Sequence, residues 1–314
     1  MDKIKVSVLT PTYNREKLIT NLYNSLVSNA NYGLDIEWLI MDDGSKDGTK
    51  TLIEKFKEED KIEIKYYYQE NQGKMTAINK LVEQATGDYI IDCDSDDYFT
   101  EDAFKIMKEE IEANKKEEGI YGICFLKYNQ KGENMGSEFK KKYTTMFDLY
   151  FKEGEEGEKA ILFYSDIRKK YKHELEHKEK FVTEARMYHK MDEKYKMICV
   201  NKHVMICEYQ SEGYTKNIIK QFKENPYGYY EYFKEILEKD MKGVIFKKRL
   251  YAIKHYILFT YLTKNRININ SIKNLKNKIL FLVLYIPAIF FLKSSLNKSK
   301  KYNMLNIYID KNIK

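Results

Sequence analysis

An α/β fold is predicted, with a mostly parallel sheet flanked by helices and a helical extension at the C-terminal end. Three observations predict it. Between Lys5 and Cys93, short apolar, β-branched runs alternate with stretches of helical periodicity, the pattern of consecutive βα units. Each run ends in a polar loop, reading in turn PTYNR, DDGSKDG, ENQGK and DCDSDD. After Cys207 the apolar residues recur at helical spacing only.

Taken in order, Lys5 to Thr10 (KVSVLT) is a strand closed by Pro11, and Glu16 to Asn29 places Leu18, Ile19, Leu22, Leu26 and Val27 at helical spacing. Ile36 to Met41 is the second strand, and Thr49 to Phe56 the helix after it. Ile62 to Tyr68 and Lys74 to Ala85 form the third pair; Tyr89 to Cys93 is a fourth strand ending in acids. In such a sheet, ligands sit at the carboxyl ends of the strands, so the four loops are expected on one edge. Glu153 to Glu158 (EGEEGE) and the Lys-rich stretch after it read as a solvated loop and helix surface. Ile218 to Phe222, Tyr229 to Leu237 and Val244 to Leu262 read as helices. The organisation expected is an α/β domain over residues 1–215 and a basic helical region over 216–314.

With 314 residues, 43% hydrophobic and 33% charged, the chain can bury a sizeable core, and wholesale disorder is excluded. Cys93, Cys124, Cys199 and Cys207 contain no C-x-x-C pair, so neither a disulfide framework nor a zinc ribbon is expected, and a reduced, cytosolic setting fits. MDKIKVSVLTPTYNR has only a few consecutive apolar residues and no small-residue cleavage site, so no signal peptide is expected. The net charge of +7 is unevenly spread: Met241 to Lys314 holds 16 Lys and Arg against Asp310 alone. Such asymmetry points to a polyanionic partner for the tail. Within it, Ile279 to Leu292 (ILFLVLYIPAIFFL) is apolar and flanked by Lys276, Lys278 and Lys293. At 14 residues, with Pro287 inside, it falls short of the roughly 20 needed to span a bilayer.

The chemistry concentrates at strand ends. Asp92, Asp94, Asp96 and Asp97 crowd like charges together, a repulsion that a hard divalent cation relieves. An EF-hand is excluded because its sixth position is Asp97 rather than Gly and its twelfth is Ala103 rather than Glu. Capping of the helix from Glu101 needs one acid rather than four. Asp42, Asp43, Gly44 and Ser45 could form an Asx turn, Tyr13 to Arg15 an ordinary loop, and Gly73 with Lys74 either a helix cap or a phosphate contact. Neither a P-loop nor a dinucleotide fingerprint is present to account for them. His173, Glu174 and His177 satisfy H-E-x-x-H, the zinc hydrolase pattern, but in KKYKHELEHKEK, without an apolar face or a third ligand at the usual spacing.

In this order the motifs VSVLTPTYNR (Val6 to Arg15), EWLIMDDGSKDGT (Glu37 to Thr49), NQGKMTAINK (Asn71 to Lys80) and ATGDYIIDCDSDDYFTEDAF (Ala85 to Phe104) resemble the family 2 glycosyltransferases of the GT-A, Rossmann-like fold. EKFVTEARMYHKM (Glu179 to Met191) and VNKHVMICEYQSEGYTKN (Val200 to Asn217) resemble that family's acceptor-side region, in the subgroup that often builds cell-surface polysaccharides. The resemblance covers Lys3 to Asn217. It implies an inverting transfer of a sugar from a nucleotide diphosphate sugar to a hydroxyl of a glycan or polyprenyl-linked glycan, assisted by Mg²⁺ or Mn²⁺. By position it implies that Pro11 and Tyr13 pack on the nucleotide base, with Arg15 closing the segment, and that Asp43 hydrogen-bonds the base. It places Lys74 near the diphosphate, Asp94, Ser95 and Asp96 in the D-x-D motif with Asp96 and Asp94 on the metal, and Glu184 as general base. Many relatives carry Glu-Asp at the base position, whereas here Thr183 precedes a lone Glu.

Two alternatives of other classes stand beside this reading: a zinc hydrolase through His173 and His177, and a non-catalytic membrane-binding module. Nucleic acid is not expected, since the tail has no recognisable binding signature and its lysines border an apolar run. That bordering fits a helix in an anionic bilayer interface, the alternative for Ile279 to Leu292 being a buried core helix. The expected location is the cytoplasm, peripheral at the inner face of the cell membrane.

Overall fold

In a computed structural model the described residues are 3–114, 116–208, 218–266, 269 and 272–296, with side chains described to 288 in the last segment. The expected readings of residues 209–217 and 297–314 lie outside them. The structure divides into a sheet unit (Met1–Tyr150, Glu155–Glu174, Glu184–Ser211) and a helical unit (Phe151–Gly154, Leu175–Thr183, Glu212–Lys314).

The sheet unit opens with β1 (Lys5–Thr12), α1 (Ile19–Asn29), β2 (Asp35–Asp42), α2 (Thr49–Glu58), β3 (Glu63–Tyr68), α3 (Lys74–Gln84) and β4 (Tyr89–Asp92). Strands β3, β2, β1 and β4 lie side by side and parallel, so their carboxyl ends share one edge, as the loop composition predicts. β1 and β2 are buried over nearly their whole length because both faces are covered, which is why they read as apolar runs. Tyr23 of α1 stacks on Phe56 of α2 at 3.9 Å and on Trp38 of β2 at 6.2 Å, and Trp38 Nε1 donates to Thr10 Oγ1 at 2.9 Å. The remaining elements are β5 (Tyr98–Phe99), α4 (Ala103–Ala113), β6 (Ile120–Asn129), β7 (Tyr143–Thr144), β8 (Lys159–Tyr164), α5 (Ser165–Arg168), α6 (Glu184–Met191) and β9 (Lys196–Cys207).

Past β4 the sheet becomes mixed, in the order β3-β2-β1-β4-β8-β6-β9-β5. β8 runs antiparallel to both β4 and β6, while β6 and β9 pair parallel. Glu156 to Glu158 are exposed as the solvated-loop reading expects, but Lys159–Tyr164 corrects that reading for the stretch after them: it is a buried internal strand, and Glu155 is fully buried, accepting from Ser137 and paired with Lys140. Local composition hid the strand because a charged loop leads straight into it. Gly122 lets β6 approach β8, since a Cβ there would collide with the Leu162 carbonyl oxygen.

Glu37 is a fully buried acid on β2. Its carboxylate accepts from Ser7, from Lys65 Nζ at 2.6 Å and from the Thr86 amide at 2.6 Å and hydroxyl at 2.8 Å. Burial pushes its carboxyl up, but the hydrogen bonds from Lys65, Ser7 and Thr86 outweigh burial and hold it at about 2. Glu37→Gln is expected to destabilise the sheet unit by about 2–3 kcal/mol, by removing the buried charge that faces Lys65, which keeps only its pair with Glu63, and by mismatching a filled acceptor site. Because the folded-state value is depressed, the stabilisation is present above the ordinary value of 4.5 and is lost as pH falls towards about 2. Urea unfolding of both proteins at pH 7 and pH 3 checks this: the gap must narrow at pH 3.

In the helical unit, α7 (Ile218–Glu224), α8 (Pro226–Glu238), α9 (Phe246–Thr263) and α10 (Leu275–Leu296) follow the helical pattern expected. Their core is aromatic: Phe222 meets Tyr229 at 4.6 Å, and Tyr229 stacks on Phe259 at 5.2 Å. The Glu179 carboxylate accepts from the Tyr227 and Gly228 amides, both at 2.7 Å, satisfying donors at the start of α8. Among the described residues no helix is long and apolar enough to cross a membrane.

Candidate active site

Four loops at the carboxyl edge of β1 to β4 build the site. β1 continues through Pro11, which pairs in register with Met41, and Tyr13 beyond it is 44% exposed. Asn14, at φ +52°, locks this loop to the next: its amide donates to Ser45 Oγ at 2.9 Å, and its Oδ1 accepts from the Lys46 amide at 2.8 Å. Arg15 Nη1 donates to the carbonyls of Tyr13 at 3.3 Å and Asn14 at 3.2 Å.

After β2, the buried carboxylate of Asp43 accepts from Gln69 Nε2 at 2.7 Å and from the amides of Gln72 at 2.7 Å and Gly73 at 2.9 Å. These bonds tie the loop after β3 to the end of β2. Gly73, at φ +92°, makes the turn that delivers its amide and starts α3. Lys74 is thereby placed at the first position of α3.

Lys74 joins two of the predicted residues. Its ammonium lies 2.7 Å from Asp94 Oδ2 and 2.8 Å from Glu184 Oε1. Burial works to lower the ammonium, but Asp94 and Glu184 raise it well above its ordinary value. Glu184 opens α6 and is half-buried; burial pushes its carboxyl up, yet the Lys74 ammonium holds it below the usual range. Tyr188, one turn on, approaches Glu184 Oε2 at 3.5 Å.

The acids after β4 are not equivalent. Asp92 faces the fully buried Arg168 at 3.8 Å, and burial raises its carboxyl despite that cation. Asp94 pairs with Lys74, Ser95 is buried, and Asp97 pairs with Lys127 at 3.3 Å while accepting from Cys207 Sγ at 3.1 Å. Among the described residues Asp96 has no ion pair. Its carboxyl is raised to about 6 by burial, then by Asp94 and Asp97, with Arg15 opposing. A crowded carboxylate without an ion pair, beside Asp94, is a hard oxygen donor set that fits Mg²⁺ or Mn²⁺. Asp97, Glu158 and Cys207 also cluster, with ligand atoms within 4.8 Å of one another, but Lys127 Nζ stands 3.3 Å from Asp97 and 3.6 Å from Glu158, supplying a positive charge there.

The H-E-x-x-H pattern does not form a zinc site of the expected kind. Residues 173–177 are not helical, so the one-turn spacing that would align the imidazoles is lost. His173 is buried in the sheet unit rather than solvated: its amide donates to Asn79 Oδ1 at 2.8 Å, and its Nε2 lies 3.5 Å from Arg168 Nη2. Burial first, then Arg168 and Lys74, press its pKa well below the ordinary value. His177 belongs to the helical unit, where its ring lies 3.9 Å from that of Tyr227.

Sequence reasoning missed Arg168, Lys127 and Tyr188. Lys127 carried a signal, a lone cation inside the apolar strand ICFLKYN; Arg168, within SDIRKKYK, carried none.

Comparison with known proteins places these features in context. The glycosyl transferase family 2 model matches residues 7–174. TarS of Staphylococcus aureus, a poly(ribitol-phosphate) β-N-acetylglucosaminyltransferase, is 33% identical over 102 residues, 32% of this chain and 18% of that protein. Its crystal structure in complex with UDP-GlcNAc superposes with a TM-score of 0.56 at 21% identity, covering 91% of this chain and 81% of that one. The GalNAc(5)-diNAcBac-PP-undecaprenol β-1,3-glucosyltransferase of Campylobacter jejuni is 30% identical over 137 residues, 43% of this chain and 42% of that enzyme. A mannosyltransferase from Pyrobaculum calidifontis, in complex with GDP-Man and Mn²⁺, gives a TM-score of 0.55 at 16% identity, covering 100% of this chain and 88% of that one. The chain spans less than half the length of the curated relatives it matches. The structural likeness carries the fold, which is of the GT-A type.

Proposed function

The chain belongs to glycosyl transferase family 2, and from that premise we propose an inverting, metal-dependent transfer of a sugar from a nucleotide diphosphate sugar to a glycan or lipid-linked glycan hydroxyl in cell-surface polysaccharide synthesis. The observation that carries this reading is the arrangement of Lys74, Asp94 and Glu184, a cation and two carboxylates in mutual contact where the sheet edge meets α6. In it Pro11, Tyr13 and Arg15 receive the nucleotide base side of the donor, and the exposed Tyr13 ring supplies a stacking face. Asp43 shapes the same pocket through the loop it pins, with one lone pair of Oδ2 left for a base. Lys74 meets the diphosphate and Ser95 the donor beside it. Asp96 and Asp94 hold Mg²⁺ or Mn²⁺, which, when bound, neutralises charge on the leaving diphosphate.

Glu184 takes the acceptor's proton. The acceptor oxygen bonds to the anomeric carbon as the bond to the diphosphate breaks, which inverts that carbon, and the hydroxyl proton passes to Glu184 Oε. The domain reading is a catalytic domain over residues 1–215 and a basic helical region over 216–314 that meets an anionic membrane at its cytoplasmic face. A lipid-linked acceptor, such as the Campylobacter relative's name describes, agrees with that placement.

The direct test incubates the purified protein with a panel of nucleotide sugars and Mn²⁺ or Mg²⁺ and reads release of nucleoside diphosphate. Slow release from one donor is expected; no release from any, by folded protein with either metal, would sink the reading. His177→Ala should leave release within about twofold of wild type, since the ring packs on Tyr227. Loss of activity in that variant, measured with its melting temperature unchanged, would restore the hydrolase alternative.

A further inference from the structure

Among the described residues α10 has two apolar faces, one buried and one exposed. Asn277, Phe281 and Ala288 are buried, and Phe281 meets Tyr256 of α9 at 6.0 Å between ring centroids. Leu275, Ile279, Leu282, Val283 and Ile286 are 51–75% exposed. At about 100° per residue these five gather on the side of the helix opposite Asn277 and Phe281. Lys276 and Lys278 fall on the two flanks, each roughly 100° from Asn277 in opposite senses. An ordinary surface helix turns its charges outward and its apolar stripe inward. Here the outward face is aliphatic and the lysines border it.

We infer that this outward face of α10 is the part of the protein that enters an anionic lipid surface, with the helix lying flat, Phe281 kept against α9, and Lys276 and Lys278 reaching headgroup phosphates from both sides. The inference deepens the reading of residues 216–314 as the membrane-contacting region and rests on it. Charge favours lipid over a second copy of the chain. A two-fold contact through this face would bring two lysine-bordered surfaces together, and from Met241 to Lys314 the sequence offers Asp310 as the lone acid to compensate. An anionic leaflet supplies the missing counter-charge along with an apolar phase for the aliphatic side chains.

The test is co-sedimentation of the full chain with phosphatidylcholine vesicles, with and without phosphatidylglycerol. The wild type should partition onto the phosphatidylglycerol vesicles. The double substitution Ile279→Asp with Ile286→Asp should lower that partitioning at least tenfold, with melting temperature and nucleotide-sugar hydrolysis unchanged. Lys276→Glu with Lys278→Glu should weaken binding and reduce its salt dependence. Leu282→Trp reports on insertion without disturbing the surface: its emission should shift to the blue on vesicles and be quenched by brominated acyl chains, against the constant signal of the buried Trp38. Undiminished sedimentation of the folded aspartate variant, or no quenching at position 282, overturns the inference. So does a dimer, seen by light scattering in the absence of lipid, that these substitutions dissolve. Hydrolysis is assayed without vesicles, so its absence in a wild type that still binds lipid counts against the enzymatic reading alone.

Discussion

Glu184→Gln is expected to lower sugar transfer by about 10²- to 10⁴-fold, the range a general base supplies. The substitution keeps the shape of the side chain and removes its ability to take a proton. Glu184 opens α6 and touches Lys74 at 2.8 Å, so neutralising it also leaves Lys74 paired with Asp94 alone. Donor affinity should therefore be retained or rise, since less of the ammonium is committed to protein carboxylates. Single-turnover transfer separates the chemical step, and calorimetry with the nucleoside diphosphate reads binding. Transfer within a factor of a few of wild type would move the base elsewhere, and a large loss of donor affinity would make Glu184 a donor-site residue instead.

Asp96→Asn should reduce turnover at least about tenfold, equivalent to roughly 1.4 kcal/mol in the barrier. Asp97, the next residue, is already satisfied by Lys127 and Cys207, and Asp94 by Lys74; Asp96 is the carboxylate left with excess negative potential around it. Removing its charge relieves that repulsion, so the variant should fold at least as stably as wild type while binding divalent cations more weakly. Calorimetric titration of nucleoside diphosphate with and without Mn²⁺ decides the matter. Equal affinity in both conditions, in wild type and variant alike, would falsify a metal at this position.

Much of this arrangement is legible in the sequence, for a physical reason. β1, β2 and β4 are buried over most of their length, so most of their residues are apolar and the buried polar ones, such as Glu37, are hydrogen-bonded, and the turns that follow them need Gly, Asp and Asn. The loops at their ends are short and follow parallel neighbours, which puts Tyr13, Asp43, Lys74 and Asp94 on one edge from strand order alone. Beyond β4 the argument weakens. β8 hides behind EGEEGE because its partners, β4 and β6, are distant in sequence, and antiparallel insertion leaves no crossover pattern to read. Arg168 sits in a charged segment that looks solvated until Asp92 and Tyr171 are seen beside it. Hydropathy marks residues 279–292 as apolar, but which face of that helix α9 covers is decided only by packing.

The position of β8 bears on how the chain is made. β4 is complete at Asp92, yet the strand that covers its free edge begins at Lys159. During synthesis, at roughly 5–20 residues per second, the nascent sheet β3-β2-β1-β4 can form while one border stays open for several seconds. That border presents the unpaired backbone of Tyr89, Ile90 and Ile91, the kind of apolar edge to which a neighbouring chain adds a strand. On a polysome the hazard is greatest between ribosomes that have both passed β4 and not yet reached β8, and it is there that a holdase chaperone has most to protect.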